Sequence, residues 1–169
     1  MSSSHLVDLT ALDAPEQALL RAAQSAMSRA YNVYSGFYVG AAVGTASGGM
    51  FSGANVENAS FGLTICAEPA AILRAYAEGD VEIRAIAVVG GPGPESAGEI
   101  VTPCGRCRQM IYEASQVSGA DIAVLCSNAD LSRVMKVNIS ELLPFPFGPV
   151  QLGLRQKVSE FVARAQRRR

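Results

Sequence analysis

Histidine and positive charge are both scarce in this sequence of 169 residues. The single histidine, His5, lies in the serine-rich start of the chain, which argues against Ser-His-Asp and Cys-His nucleophile systems and against His-x-x-x-His zinc sites. Fourteen Lys and Arg side chains against fifteen Asp and Glu give a net charge of -1. Because no positive excess would attract a phosphate backbone, we expect no nucleic-acid partner.

Long apolar runs are absent as well. No stretch approaches the ~20 residues of a membrane span, and residues 1–8 lack the basic end and apolar segment of a secretory signal. We therefore expect a cytoplasmic protein with no membrane partner. The length, with 49% hydrophobic and 17% charged residues, predicts a single domain over residues 1–169, with a core over 15–150 and a helical extension over 151–169.

Apolar periodicity and turn residues predict the element order α-β-β-α-β-α-β-β-α. Helices are predicted over residues 15–31, where Asp13 and Glu16 form a capping box, over 66–78 and 104–118, and in a C-terminal stretch from Leu154. Strands are predicted over residues 37–46, 50–56, 83–89, 121–126 and 133–139, the last at a sheet edge. This order implies a three-layer α/β/α sandwich with a mixed five-stranded sheet.

Four cysteines are present, and in a reducing cytoplasm they favour metal binding or chemistry over disulfides. Cys66 and Cys104 fall at predicted helix starts, and Cys107 completes a Pro-Cys-x-x-Cys sequence. Helix starts stabilise thiolates through unpaired N–H groups and the helix dipole. Three thiolates would leave the fourth tetrahedral position of zinc open for water, as in catalytic sites. Cys126 lies within an apolar strand and is interpreted as a core residue. The alternative to a metal site is that all four cysteines are buried structural residues.

Glu68 stands two residues after Cys66, close to the expected metal without being a ligand. This position suits a proton carrier, although the helix dipole also favours an ordinary glutamate in a first turn. Together, Cys-x-Glu and Pro-Cys-x-x-Cys form the zinc-deaminase signature, with cysteine in place of its usual histidine.

Three further segments accompany these motifs, and with them the sequence resembles the cytidine deaminase family, specifically its small homotetrameric class with three cysteine ligands. Residues 34–42 resemble the first-strand motif of that family, residues 55–60 its ribose-binding segment, and residues 142–149 its C-terminal signature. The resemblance extends over about residues 15–150 and implies a cytidine deaminase-like fold and a homotetramer.

The resemblance also implies one zinc ion per chain on Cys66, Cys104 and Cys107, with Glu68 as the proton shuttle. The implied reaction is hydrolytic deamination of cytidine and deoxycytidine to uridine and deoxyuridine with release of ammonia, in pyrimidine nucleoside salvage. The implied substrate contacts are Phe37 on the pyrimidine, Asn55 and Glu57 on the ribose hydroxyls, Ala67, and Phe147 in a neighbouring subunit's pocket. The alternative interpretation of Asn55 and Glu57 is that they are plain polar residues at a hairpin end. The alternative for Phe37 and Phe147 is that they are plain core residues.

The sequence departs from the family pattern directly after Glu68, where Pro69 replaces an arginine that partly neutralises the thiolates. Arg106, between two of the cysteines, is the predicted replacement charge and is expected to hydrogen-bond a zinc thiolate; Arg108 is a second candidate. Two other functions stay open from the residues. One is deamination of a cytosine antibiotic such as blasticidin S, and the other is a non-catalytic zinc- or nucleoside-binding role.

Overall fold

The computed structural model describes residues 5–167 of the chain. Within this range one sheet has the strand order β1-β6-β5-β4-β2-β3. The strands are β1 (Leu6–Val7), β2 (Tyr38–Thr45), β3 (Met50–Ala54), β4 (Ile83–Gly91), β5 (Ala123–Asn128) and β6 (Val134–Asn138). The helices are α1 (Ala14–Ala26), α2 (Ala67–Ala77), α3 (Gly105–Ser118), α4 (Ile139–Leu142) and α5 (Arg155–Gln166). Residues 168–169, at the end of the expected C-terminal extension, and residues 1–4 lie outside the described part.

The sheet is mixed because β4 and β5 run parallel while the other neighbouring pairs are antiparallel. Helix α1 packs on one face of the sheet, and α2 and α3 pack on the other. Strand β2 shows the reason in its alternation, since Ala42 joins the α1 core while Ala41 and Val43 join the opposite core. The predicted three-layer α/β/α architecture is confirmed.

The strand count differs from the prediction, because the described residues form a sheet of six strands rather than five. The additional strand is β1, whose Leu6 and Val7 pair with Met135 and Val134 of β6. Two residues are too few to show an alternating pattern, so the sequence carries no signal for this strand. Strand β6 is consequently covered by β1 and is not the edge that we predicted.

Helix and strand ends shift where local capping overrides periodicity. Asp13 accepts a 2.8 Å hydrogen bond from the Glu16 backbone N–H at the start of α1, whereas the Glu16 carboxylate pairs with Lys136 at 2.6 Å. Helix α1 tightens into a 3-10 turn over Met27–Arg29, so the predicted α-helix to residue 31 is too long. Strand β6 ends at Asn138, which caps α4, rather than running on to residue 139.

The remaining elements follow the prediction closely. The β2–β3 hairpin turns at residues 46–49, with Gly48 at a φ of +86°, a conformation that favours glycine. Helix α5 begins after Leu154, and its Phe161 ring lies 6.5 Å from Tyr76 of α2. Within residues 5–167, no helix combines the length and the apolar character needed to cross a membrane.

Candidate active site

Three of the four cysteines meet where α2 and α3 begin. Cys66 is the N-cap of α2, Cys104 is the N-cap of α3, and Cys107 lies in the first turn of α3. Both helices pack on the same face of the sheet and share one core. Their first turns, with backbone N–H groups that have no partner within the helix, therefore converge on the three thiols.

The spacing of the sulfur atoms fits a tetrahedral zinc ion. The three Sγ atoms all lie within 4.8 Å of one another, and those of Cys104 and Cys107 are 3.6 Å apart. Zinc–thiolate bonds of about 2.3 Å at tetrahedral angles hold sulfur atoms about 3.8 Å apart. The donor set, three soft sulfur ligands at helix N-termini, also suits zinc chemically.

Ionisation differs among the thiols of this cluster. A hydrogen bond from the Cys107 thiol is the main reason why the pKa of Cys66 falls to about 6, and the Arg106 charge lowers it further. The pKa of Cys107 is raised, first by this same hydrogen bond and then by burial. The cluster thus favours a thiolate, the form in which cysteine binds metals.

Glu68 lies beside the cluster, on the buried side of the first turn of α2. Only 3% of the residue is exposed. Burial raises the pKa of the Glu68 carboxyl, while hydrogen bonds from its own backbone N–H and from the Cys107 thiol lower it. A carboxyl group with a raised pKa, next to a metal site, has the properties of a proton carrier.

Cys126 is not part of the described thiol cluster. It is fully buried in β5, and burial raises the pKa of its thiol to about 12. Its interpretation as a core residue is confirmed. Pro69 is buried at the third position of α2, where its missing N–H would have no helical partner, so the helix tolerates it.

Asn55 is tied by its side chain to the segment that leads into β2. Its Nδ2 donates to the Phe37 carbonyl at 3.0 Å, and its Oδ1 accepts from the Val39 N–H at 2.9 Å. The residue is 8% exposed. Asn55 therefore holds residues 37–39 in place, whichever ligand the site binds.

Glu57 turns towards the same segment. Its Oε2 accepts hydrogen bonds from the Tyr34 N–H at 2.8 Å and the Ser35 N–H at 3.2 Å, and its Oε1 accepts from the Ser35 hydroxyl. Chiefly the Ser35 hydroxyl, with these two N–H groups, lowers the pKa of Glu57 below its ordinary value. The neighbouring Val56 pairs with Ile65, which connects this region to the approach to Cys66.

The other predicted substrate residues occupy different environments. Ala67 is fully buried at the first position of α2. Phe37 is 38% exposed and Phe147 is 61% exposed, so neither ring belongs to the closed core of the chain. The Phe147 carbonyl accepts a 2.7 Å hydrogen bond from Gln109 of α3, which holds this C-terminal segment next to the helix that carries Cys107.

The two arginines of the Cys-x-x-Cys region have separate partners. Arg106 donates to the Thr64 carbonyl at 3.2 Å and so connects α3 to the segment before Cys66. Its expected hydrogen bond to a zinc thiolate stays a prediction. Arg108 donates to the carbonyls of Pro103 and Leu142, at 2.8 and 3.3 Å, and thereby fixes the chain around Cys104.

Ser35 and Thr64 make hydrogen bonds near the site that the sequence did not predict. Ser35 stood within a recognised turn and motif, and a hydroxyl group at a tight turn was the signal that could have marked it as a hydrogen-bonding residue. For Thr64 the contact is made by its backbone carbonyl, which any residue type supplies. Its position beside Cys66 was the only sequence signal.

Comparison with known proteins identifies the family. A profile described as "Cytidine and deoxycytidylate deaminase zinc-binding region" matches residues 14–119. The cytidine deaminase of Halalkalibacterium halodurans is 42% identical over 131 residues, which cover 78% of this chain and 92% of that protein. The probable cytidine deaminase of Dictyostelium discoideum is 37% identical over 145 residues, covering 86% and 92% respectively.

Solved structures agree with these sequence relatives. The cytidine deaminase of Burkholderia pseudomallei has a TM-score of 0.66 and 41% identity, with coverage of 77% of this chain and 97% of that one. The Mycobacterium tuberculosis enzyme has a TM-score of 0.65 and 34% identity, covering 80% and 99%. With the three-thiol cluster and the buried Glu68 beside it, these matches establish that the chain belongs to the cytidine deaminase family.

Proposed function

We propose that the protein is a zinc-dependent hydrolase that deaminates cytidine and deoxycytidine to uridine and deoxyuridine with release of ammonia, in pyrimidine nucleoside salvage. The observation that carries this proposal is the buried carboxyl of Glu68 against a cluster of three thiols at two helix N-termini. Cysteine ligands and a nearby glutamate that is not a ligand are the components of a zinc deaminase site.

The three thiols would hold the metal, and Glu68 would move the protons. Zinc bound by Cys66, Cys104 and Cys107 would supply a Lewis acid that lowers the pKa of a water molecule for attack on C4 of the cytosine ring. Glu68, which is buried beside the three thiols, would take one proton from that water and deliver it to N3, and would then carry the remaining proton of the attacking oxygen to the departing amino group. One carboxylate serves both transfers because its burial excludes competing solvent.

Five residues are proposed to bind the nucleoside. Asn55 and Glu57 contact the ribose hydroxyls, Phe37 packs against the pyrimidine, and Ala67 lines the ring pocket at the start of α2. Phe147 reaches a neighbouring subunit. Support comes from the orientation of Asn55 and Glu57 towards residues 34–39 and from the exposure of both phenylalanine rings.

Arg106 is proposed to offset part of the thiolate charge that an arginine at position 69 would otherwise balance. Its guanidinium is held beside the approach to Cys66 by the Thr64 carbonyl, and its charge lowers the pKa of Cys66. The relatives compared above are named as cytidine deaminases, and neither antibiotic deamination nor a non-catalytic role is favoured by them.

A homotetramer and a cytoplasmic location complete the proposal. Large apolar side chains are exposed, among them Phe61 at 74% and Leu63 at 64% in the 3-10 turn before Cys66, and Phe145 at 95%. Exposed apolar surface of this kind favours association, and the molar mass in solution, measured by light scattering, tests the subunit number. The four free cysteines agree with a reducing compartment.

Ammonia release from cytidine by the zinc-loaded protein tests the reaction. We expect Glu68→Gln to bind one zinc per chain, as measured by metal analysis, and to lose activity by a factor of about 10³ or more, because the amide cannot carry protons. Glu78→Gln, at the exposed C-terminal end of the same helix, is the matched control and should keep full activity. A Glu68→Gln enzyme that retains near wild-type turnover would overturn the assignment.

A further inference from the structure

Hydrogen bonds of Ser35 and of the adjoining Phe37 backbone connect three of the proposed substrate residues. The Ser35 hydroxyl donates to Oε1 of Glu57 and accepts from the Phe37 N–H at 3.0 Å. The Phe37 carbonyl in turn accepts from Nδ2 of Asn55 at 3.0 Å. The Phe37 N–H donates to the same hydroxyl that donates to Glu57, so these two bonds reinforce each other, while the Asn55 bond holds the next peptide group of the same segment.

We propose that Ser35 is a positioning residue that aims the Glu57 carboxylate at a sugar hydroxyl and keeps it in register with the Phe37 backbone. This inference deepens the proposed function and rests on it, since it concerns the sugar-binding part of the same site. Ser35 does not act on the reacting atoms of the base. Its effect is confined to recognition of a hydroxyl-bearing sugar.

The count of acceptor sites explains how one carboxylate can be fixed and still bind a ligand. An ionised carboxylate offers about four lone-pair sites. The turn at residues 34–35 uses two sites on Oε2 and one on Oε1 of Glu57. One acceptor site on Oε1 is then left for a ligand, and an ionised carboxylate accepts only from a donor, which a free sugar hydroxyl provides.

The surroundings separate this role from support of the fold. Ser35 is exposed, and the turn that carries it is closed independently by the Gly36 N–H, which donates to the Asn32 carbonyl at 2.8 Å. Loss of the hydroxyl therefore leaves the turn closed. It removes the donor from Oε1 of Glu57 and the acceptor from the Phe37 N–H, so the carboxylate is held only through Oε2 by the Tyr34 and Ser35 N–H groups and Oε1 loses its fixed direction.

The test compares Ser35→Ala on two substrates, cytidine and 2′,3′-dideoxycytidine, which lacks both secondary hydroxyls. We expect kcat/KM for cytidine to fall about tenfold, mainly through KM, the size of one hydrogen bond to a charged group. For dideoxycytidine we expect kcat/KM to fall by about twofold or less. Ser35→Thr, which keeps the hydroxyl, should restore cytidine turnover. Ser28→Ala, an exposed serine after α1 whose hydroxyl bonds the Ser25 carbonyl, is the matched control.

A double-mutant cycle with Glu57→Gln locates the effect. If Ser35 acts through Glu57, the double variant should lose no more cytidine activity than Glu57→Gln alone. Equal losses on both substrates, or additive losses in the cycle, would overturn the inference while leaving the proposed reaction intact.

Binding of the product provides a readout that does not depend on turnover. Calorimetry should show that Ser35→Ala lowers the affinity for uridine about tenfold and leaves the affinity for 2′,3′-dideoxyuridine unchanged. If the wild-type protein releases no ammonia but binds uridine with this dependence, the proposed reaction fails and the positioning role stands. Uridine binding that is equal in wild type and Ser35→Ala contradicts the positioning role.

Discussion

At the scale of single residues, charge balance at the thiol cluster decides how firmly a metal is held. Zinc with three thiolates carries a net charge of -1, and an ionised Glu68 would add a second negative charge close by. Pro69 contributes no compensating charge. Arg106 lies on the facing helix start, and its contact with the Thr64 carbonyl keeps it near Cys66. In the proposed function, the compensating positive charge would therefore come from α3 instead of α2.

Arg106→Ala should weaken zinc binding about tenfold, since it removes one nearby positive charge from an anionic centre. Competition with a chromogenic chelator measures this affinity directly, without reference to turnover. Arg106→Lys should recover part of the affinity because it keeps the charge. Arg21→Ala, an exposed arginine on α1, controls for a general change in net charge. Unchanged zinc affinity in Arg106→Ala would show that another group balances the thiolates.

The sequence predicted the three-thiol cluster at residue level because its signal is local. Cys66 and Glu68, or Cys104 and Cys107, stand two or three positions apart at a helix start, so spacing alone fixes their relation. The Ser35–Glu57 and Arg106–Thr64 contacts join positions that are 22 and 42 apart in sequence. No local pattern encodes such pairs, and only the folded chain reveals them.

At the scale of elements, the approach of α1 to β2 depends on a glycine. A Cβ atom at Gly40 would collide with the Ala23 carbonyl oxygen and lie 2.8 Å from the Met27 nitrogen, both backbone atoms of the first helical segment. At Gly44, on the same face of β2, a Cβ atom would meet only Leu19 side-chain carbons at 3.7 and 3.9 Å. The two positions share strand and face but differ in available space.

Gly40→Ala should lower the free energy of unfolding by about 2 kcal/mol or more, because a backbone carbonyl cannot move aside as a side chain can. Gly44→Ala, the matched control, should change it by less than about 0.5 kcal/mol, since its contacts are ordinary van der Waals distances. Denaturant unfolding of both variants measures the difference. Equal destabilisation would mean that the strand, rather than the helix contact, requires glycine.

Element prediction succeeded where periodicity was long and failed where tertiary contacts or caps decided. The buried strand β4 and helix α3 were recognised within two residues at their ends. Strand β1 exists only through its pairing with Met135 and Val134, and α4 depends on the capping box between Asn138 and Glu141. Both are short segments whose own propensities are weak.

At the scale of the whole molecule, this chain is longer than the solved family structure compared above, and its last helix is α5. The Burkholderia pseudomallei structure is covered to 97% by only 77% of this chain. Helix α5 packs on its own subunit through Phe161 against Tyr76 and through a 2.7 Å hydrogen bond from Gln166 to Glu82. None of its residues, all of which are described, is buried. Its contribution to stability should therefore be moderate.

Truncation after Gln151 should lower the free energy of unfolding by about 2 kcal/mol, the value of covering one large apolar side chain. Burial, followed by the nearby Glu113 charge, raises the pKa of Tyr76 to about 12. Removal of Phe161 should expose that phenol and lower its pKa, so ultraviolet absorbance should detect ionisation at lower pH. A chain ending at Gln166, which keeps α5, is the control. If truncation after Gln151 changes neither the free energy of unfolding, nor the number of subunits per assembly, nor the phenol titration, then packing of α5 does not stabilise the subunit.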